Sequence, residues 1–417
     1  MTQREKTYKI MLLSQYFYPE MISTGHILTE LLLELKKDWP DIDVICAQPT
    51  YYSQEKVPEE IVLEGIQIQR TRNTQLNKNT LKGKVINSLS FLLHALYLSL
   101  KRRDSGPVIL VTNPPLLVLL GPVIKILRKR PFLLIIHDLF PDIAIRKGYL
   151  KEHSPVAVLW RMANRWVYKN ASFIVVLGRD VVREVSESSP PEIAEKIVCI
   201  PNWADEELIY PVDRSDNPFI QELKLEGKFI VEYSGNMGIT HDMETIIDAA
   251  HAAKHDPELH FLLIGGGAKL EKMKERVKAQ DLSNVTFLPY QERQVLKYTL
   301  GAAHVSLITL EADMEGLSVP SKLYGILASG RPSIAIMSQD SEVALTLKEN
   351  QCGLVVAPGD SKGLLQKIYW LKEHADERVF MGKLAREAFL KAYTVKNCSR
   401  QYAKLLRDMD GKGTVRG

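Results

Sequence analysis

The sequence predicts an α/β protein made of two doubly wound domains, each built on a mainly parallel sheet. Three observations carry this. Short β-branched or leucine-rich runs alternate with helix-length amphipathic segments. The alternation pauses in a polar, proline-punctuated stretch, 201–218, and then resumes. The length, 417 residues, suits two large domains or about three at ~150 residues each.

In the first half, runs 8–13, 43–47, 66–70, 108–112, 132–136, 173–177 and 197–200 read as buried strands, with helical stretches at 27–37, 156–169 and 180–187. In the second half, strands are expected at 229–233, 260–264, 284–288, 304–308, 333–337 and 353–356. Helices at 243–254, 269–279, 321–328, 341–348 and 363–373 separate them, and 377–410 reads as helix broken near Tyr393 and Thr394. The domains are expected at 1–205, with a returning helix at 393–410, and at 206–392.

A hydrophobic fraction of 45% with 25% charged residues excludes wholesale disorder. Cys46, Cys199, Cys352 and Cys398 are far apart, which argues against a disulfide framework and a zinc site and for reduced thiols in a cytoplasmic setting. The opening residues 1–6 lead into a strand-like run and carry no secretory-signal pattern. The net charge of +4 conceals an asymmetry. From Arg70 to Arg130 the one acid is Asp104, among cations that include Lys78, Lys82, Lys84, Lys101, Arg102, Arg103, Lys125, Arg128 and Lys129. That block faces something anionic or plain water. It lacks interleaved aromatics, so nucleic acid is not an expected partner.

A single helix is expected over 80–103. Its apolar stretch, 85–100, is shorter than the ~20 residues a membrane span needs and, taken alone, reads as core-facing. With its basic ends it predicts peripheral, salt-sensitive contact with an anionic membrane surface.

Ligands of doubly wound sheets bind beyond the carboxyl ends of the strands, so the loops that follow strands are the candidates for chemistry. After the first strand, residues 16–25 close on a Ser-Thr-Gly25 turn that opens a helix, either a phosphate-binding N-terminus or a plain cap. His137 and Asp138 leave the end of an apolar strand, where catalytic groups are commonly placed. Gly235 and Gly238 permit close backbone approach in a second strand–loop–helix unit that contains Asn236 and His241. Gly265–Gly267 lacks the third glycine of a dinucleotide fingerprint, and by itself indicates little. Lys322 stands in the first turn of a helix, against the helix dipole, which favours an anion beside it.

Together the motifs YFYPE…STG, HDLFPD (137–142), IPNWAD (200–205), YSGNMG (233–238) and VPSKLYG…SGRP (319–332) resemble the family-4 (group 1) retaining glycosyltransferases of the GT-B fold. The likeness is nearest to the branch that builds bacterial surface polysaccharides, including O-antigen fucosamine transferases. It implies two Rossmann-like domains facing a central cleft and transfer from a nucleotide-sugar, a UDP-sugar, to a glycan or polyprenyl-linked acceptor with retention. It also implies a cytoplasmic enzyme, peripheral at the inner face of the membrane, with no essential metal. By position, Gly25, Gly235, Asn236, Gly238, His241, Ser321 and Lys322 would contact the donor, Pro289 and Tyr290 its base, and His137 and Asp138 the reacting sugar.

Two departures accompany the likeness. Asn236 and His241 stand where many members carry an Arg and a Lys for phosphate. Leu317 and Gly325 stand where members carry paired glutamates, the second of which holds the ribose. A nucleotide-sugar epimerase or hydrolase of the same fold, and a non-catalytic sugar-nucleotide-binding partner, are the alternative readings.

Overall fold

A computed structural model describes residues 8–20, 23–49, 57–76 and 81–410. Residues 1–6, Met21, Ile22, Lys78 and Thr80 of the expectations above, and the side chain of Lys84, lie outside the described residues. The chain divides into two compact units, Met1–Pro201 with Cys398–Gly417, and Asn202–Asn397.

The first unit holds an eight-stranded sheet of β1 (Ile10–Leu13), β2 (Ile42–Cys46), β3 (Glu60–Leu63), β4 (Ile66–Arg70), β5 (Val108–Val111), β6 (Phe132–Ile136), β7 (Phe173–Val176) and β8 (Ile197–Cys199). Its order is β3-β4-β2-β1-β5-β6-β7-β8, and every neighbouring pair is parallel except β3 with β4. Its helices are α1 (Ser23–Leu35), α2 (Leu81–Lys101), α3 (Leu120–Arg128), α4 (Asp142–Arg146), α5 (Pro155–Asn170), α6 (Arg179–Glu187) and α7 (Pro191–Ala194). β1, β2, β5 and β6 are buried at every residue, as strands covered on both faces must be.

The second unit holds a six-stranded, all-parallel sheet in the order β11-β10-β9-β12-β13-β14. The strands are β9 (Phe229–Asn236), β10 (Leu259–Gly266), β11 (Val285–Leu288), β12 (Val305–Thr309), β13 (Ser333–Ile336) and β14 (Gly353–Val356). Its helices are α8 (Pro218–Glu222), α9 (Glu244–Ala252), α10 (Leu270–Ala279), α11 (Leu296–Ala302), α12 (Lys322–Ala328), α13 (Glu342–Glu349), α14 (Ser361–Glu373) and α15 (Ala375–Ala392). The larger core, with Val231, Tyr233, Ile246 and Leu263, packs one face of the sheet. Ile230, Leu262 and Ile264 point into a smaller core on the other.

α16 (Val395–Met409) follows. From Cys398 onward it belongs to the first unit, where Tyr402 and Leu406 are buried. There Arg407 donates to Asp38 at 2.5 Å and lies over the Trp39 ring. The units divide after Pro201 and after Asn397, against the expected 205 and 392.

One strand was invisible to the apolar-run criterion. β3 is an edge strand of alternating exposure, joined to β4 through Glu64 and Gly65, both at positive φ as a tight hairpin turn requires. The basic block also resolves differently from its sequence reading, because several of its members serve the fold. Arg70 is buried and donates to the carbonyls of Tyr18 (2.6 Å) and Ala47 (3.3 Å). Arg130 is buried on the carbonyls of Gly106 (2.8 Å) and Lys9 (2.7 Å). Arg102 pairs with buried Asp43, and Lys125 donates to the Asn170 carbonyl at 2.7 Å.

Candidate functional site

In the second unit the chain order reverses between β9 and β12, the place where open α/β sheets leave a crevice beyond their carboxyl ends. Most of the residues expected on the donor side gather around the end of β9. Two glycine loops interlock there. Gly265 has φ +134°, and a Cβ on it would overlap the Gly235 carbonyl oxygen; one on Gly267 would come within 2.5 Å of Asn236 Oδ1. Gly265 and Gly267, part of a run that is weak as a motif, are what allow this segment to lie against Gly235–Met237, while Gly266 faces Tyr290. The amide of Met237 donates to the Gly266 carbonyl at 2.7 Å, and that of Lys269 to the Met237 carbonyl at 2.9 Å.

Lys322 reaches this loop from the start of α12. Its amine sits 3.7 Å from the centroid of the Tyr233 ring, beside Gly235, buried and without a hydrogen-bond partner. Burial holds that amine well below the ordinary lysine value. α12 spans only seven residues, and what marks Lys322 is not its place against a helix dipole but a desolvated amine with no acceptor. Tyr233 also ties the loop down, since its hydroxyl donates to the Asn236 carbonyl at 2.6 Å. His241 meets the Tyr233 ring edge-on and lies 3.2 Å from Thr240 Oγ1 through Nδ1. Gly238 packs under the Asn236 side chain. Tyr290 covers Gly266 and donates to its carbonyl at 3.3 Å; Pro289, which precedes it, is exposed. Ser321 adjoins Lys322 as the residue before α12.

Two residues outside the sequence expectations brace the loop. Lys269 donates to the His241 carbonyl at 2.7 Å and pairs with Glu311, whose amide donates to the Thr240 carbonyl at 2.9 Å. Neither belongs to a recognisable motif, and only the folded chain brings them together. The glutamate positions of the family also take a definite form. Leu317 is a buried core residue, and a Cβ on Gly325 would meet only Leu300 and Ile209. Neither residue supplies a carboxylate, and the neighbours of a Cβ on Gly325 are apolar.

In the first unit, His137 and Asp138 follow β6. Their amides share Thr112 Oγ1 as acceptor, at 3.0 and 3.3 Å, so the end of β5 fixes the backbone of both. Burial pushes the His137 imidazole down from 6.5 to about 4, which keeps it neutral at pH 7. Asp138 lines a small cavity with Phe140, Trp160 and Asn164. Gly25 lies in the first turn of α1, where a Cβ would come within 2.6 Å of the Glu20 carbonyl oxygen. Glycine is thus required there for helix and loop to touch. No group of three or more His, Cys, Asp or Glu placed to hold a metal occurs among the described residues.

Residues 215–388 match the family model described as "Glycosyl transferases group 1". "Probable glycosyltransferase WbjE" of Pseudomonas aeruginosa is 28% identical over 365 residues, 86% of this chain and 88% of that protein. The sucrose-phosphate synthase of Thermosynechococcus elongatus superposes with a TM-score of 0.78 at 19% identity, over 97% of this chain and 100% of that one. Anabaena Alr3699/HepE in complex with UDP-glucose superposes with a TM-score of 0.72 at 16% identity, over 96% and 99%. The fold of both units is GT-B, as expected from the motifs.

Proposed function

We propose that this chain, a GT-B glycosyltransferase carrying a group 1 glycosyltransferase domain at 215–388, transfers a sugar from a UDP-sugar to a glycan or lipid-linked glycan of bacterial surface polysaccharide, with retention. It works at the cytoplasmic face of the membrane. The carrying observation is the buried, partnerless amine of Lys322 beside Gly235, at the crevice end of β9. An amine so placed lacks an anion, and a diphosphate supplies one. The UDP-glucose complex of the HepE relative in fold supports the choice of nucleotide.

The chemistry follows from the charges. As the glycosidic bond to the diphosphate breaks, negative charge grows on the leaving group. Lys322, held by packing before the substrate arrives, stabilises that charge without reorganising. Asn236 and His241 supply hydrogen-bond donors on the same loop, where many glycosyltransferases of the resembling family carry an Arg and a Lys. On the acceptor side, a neutral imidazole with a pKa of about 4 is a poor proton acceptor near pH 7. His137 therefore orients a hydroxyl of the reacting sugar through a hydrogen bond, and Asp138 takes the role of contacting the acceptor hydroxyl.

Release of UDP from a panel of UDP-sugars, with and without membrane lipid extract, tests the reading. Lipid-stimulated release with one or two sugars is the expected result. Release that ignores acceptor favours the hydrolase alternative, and no release with any UDP-sugar refutes the choice of donor.

A further inference from the structure

α2, α3 and α5 pack side by side in the first unit, α3 against both of the others. None of the three helices carries an Asp or Glu, in a chain with 50 acidic residues among 417. Their outward sides are apolar. On α2, Phe91, Ala95 and Leu98 turn inward, while Val85, Ile86, Leu89, Leu93 and Tyr97 are exposed, Leu93 by 66%. The apolar stretch is thus core-facing on one side, as expected, and apolar on its exposed side as well. The exposed stripe recurs every three to four residues, as one helix face does, and runs for about 18 Å at 1.5 Å per residue. Lys82 and Lys101, both exposed, stand at its two ends. Ile126 and Leu127 continue the apolar surface on α3 at 64% and 59% exposure, followed by exposed Lys129. On α5, Leu159, Met162 and Trp166 are exposed, next to Arg165 and Lys169. No helix among the described residues is long and apolar enough to cross a membrane.

We infer that the outward faces of α2, α3 and α5 form one docking surface that inserts shallowly into an anionic lipid bilayer. A surface that joins three apolar stripes, carries cations at its edges and excludes acids complements anionic headgroups above acyl chains. Contact of this kind is apolar as well as electrostatic, unlike the purely salt-sensitive attachment expected from the basic residues alone. The placement also serves the site. The inward side of α5 backs the loop of Asp138: Trp160 stacks on Phe140 with centroids 6.1 Å apart, and Asn164 Nδ2 donates to the Phe140 carbonyl at 2.6 Å. The cavity that Asp138 lines is thus walled by the inward side of α5. The inference deepens the membrane part of the proposed function and rests on it. It is tested without substrates, so the two fail separately.

The test is flotation of the full chain with vesicles of phosphatidylcholine alone or mixed with phosphatidylglycerol, at low and high salt. The unmodified chain is expected to float with the mixed vesicles and to remain partly bound at high salt. Leu89→Ser/Leu93→Ser/Tyr97→Ser and Leu159→Ser/Met162→Ser each remove exposed apolar side chains. They are expected to lower vesicle affinity at least about tenfold and to abolish retention at high salt. Lys82→Gln/Lys101→Gln is expected to cost roughly fivefold per cation at low salt. Circular dichroism and UDP calorimetry report whether each variant is folded. No flotation of the unmodified chain, or apolar variants that float like it, would overturn the inference. So would a dimer in light scattering that the serine variants convert to monomer without any vesicle binding, since a second copy would then cover the face.

Discussion

The Lys322 amine lies over the face of Tyr233, whose hydroxyl donates to the Asn236 carbonyl, so one aromatic ring positions both the amine and the loop that it serves. The ring face takes the place of a hydrogen-bond acceptor for this amine.

Donor binding should therefore take up a proton. Burial lowers the pKa of the free amine, and a bound diphosphate raises it, so affinity for UDP strengthens as pH falls between the two values. Calorimetry in buffers of different ionisation enthalpy is expected to show net proton uptake on UDP binding. Lys322→Met should remove the uptake and weaken UDP binding at least about tenfold with an unchanged circular dichroism spectrum. Unchanged affinity and uptake would take Lys322 out of the site.

His137→Asn and Asp138→Asn are expected to lower turnover by ~10²–10⁴ while leaving UDP affinity intact. The split between kcat and donor affinity separates a role at the reacting sugar from general damage. Near-normal turnover in both variants would make the pair structural.

Acid should destabilise both units. Burial holds His137 at about 4 and His304 at about 2, against 6.5 when unfolded. His304 Nδ1 accepts from the Ile230 amide at 2.9 Å, which requires the neutral ring. Below pH 6.5 the unfolded chain binds protons that the folded chain refuses, so stability is full above that pH and falls as pH drops. At pH 5 the loss is about 2 kcal/mol per ring. Urea unfolding at pH 7 and pH 5 measures it, and His137→Gln should flatten the slope for the first unit.

Glu232 gives the opposite slope. Its carboxyl is buried on β9 with neither oxygen hydrogen-bonded, across the ladder from Ser306, which in turn pairs with Ser333; both serine hydroxyls also lack partners. Burial raises its pKa from 4.5 to about 8. Stability from this group is full below pH 4.5 and is lost as pH climbs towards 8. Glu232→Gln, which keeps the shape and removes the proton, is expected to stabilise the protein by about 3 kcal/mol at pH 7. A thermal midpoint unchanged between pH 5 and 8 in both proteins would contradict this.

Strand and helix positions were largely legible in the sequence because parallel strands covered on both faces show as continuous apolar runs; β6 and β14 fall at 132–136 and 353–356, where they were expected. β3 was not legible, since an edge strand of alternating exposure has no such run. At the site, motif residues such as Gly235 and Lys322 could be singled out, but the reason for Lys322 could not. Its isolation depends on Tyr233, almost ninety positions earlier in the chain. Lys269 and Glu311 were missed for the same reason: each looks like an ordinary surface charge until the loops fold together. Basic residues misled in the other direction, because Arg70 and Arg130 look like surface charge in the sequence and are buried on backbone carbonyls.

Because α16 from Cys398 onward belongs to the first unit, the order of synthesis and the order of completion differ. Domains usually finish folding one after another as the chain leaves the ribosome, the N-terminal one first. Here residues 202–397 have emerged in full before Tyr402 and Leu406 exist to fill their places against the first unit. Until then the seats of those two side chains are exposed on a nascent sheet domain that has all its strands. The later-encoded unit is the first to have all its parts, and the earlier one must wait for it.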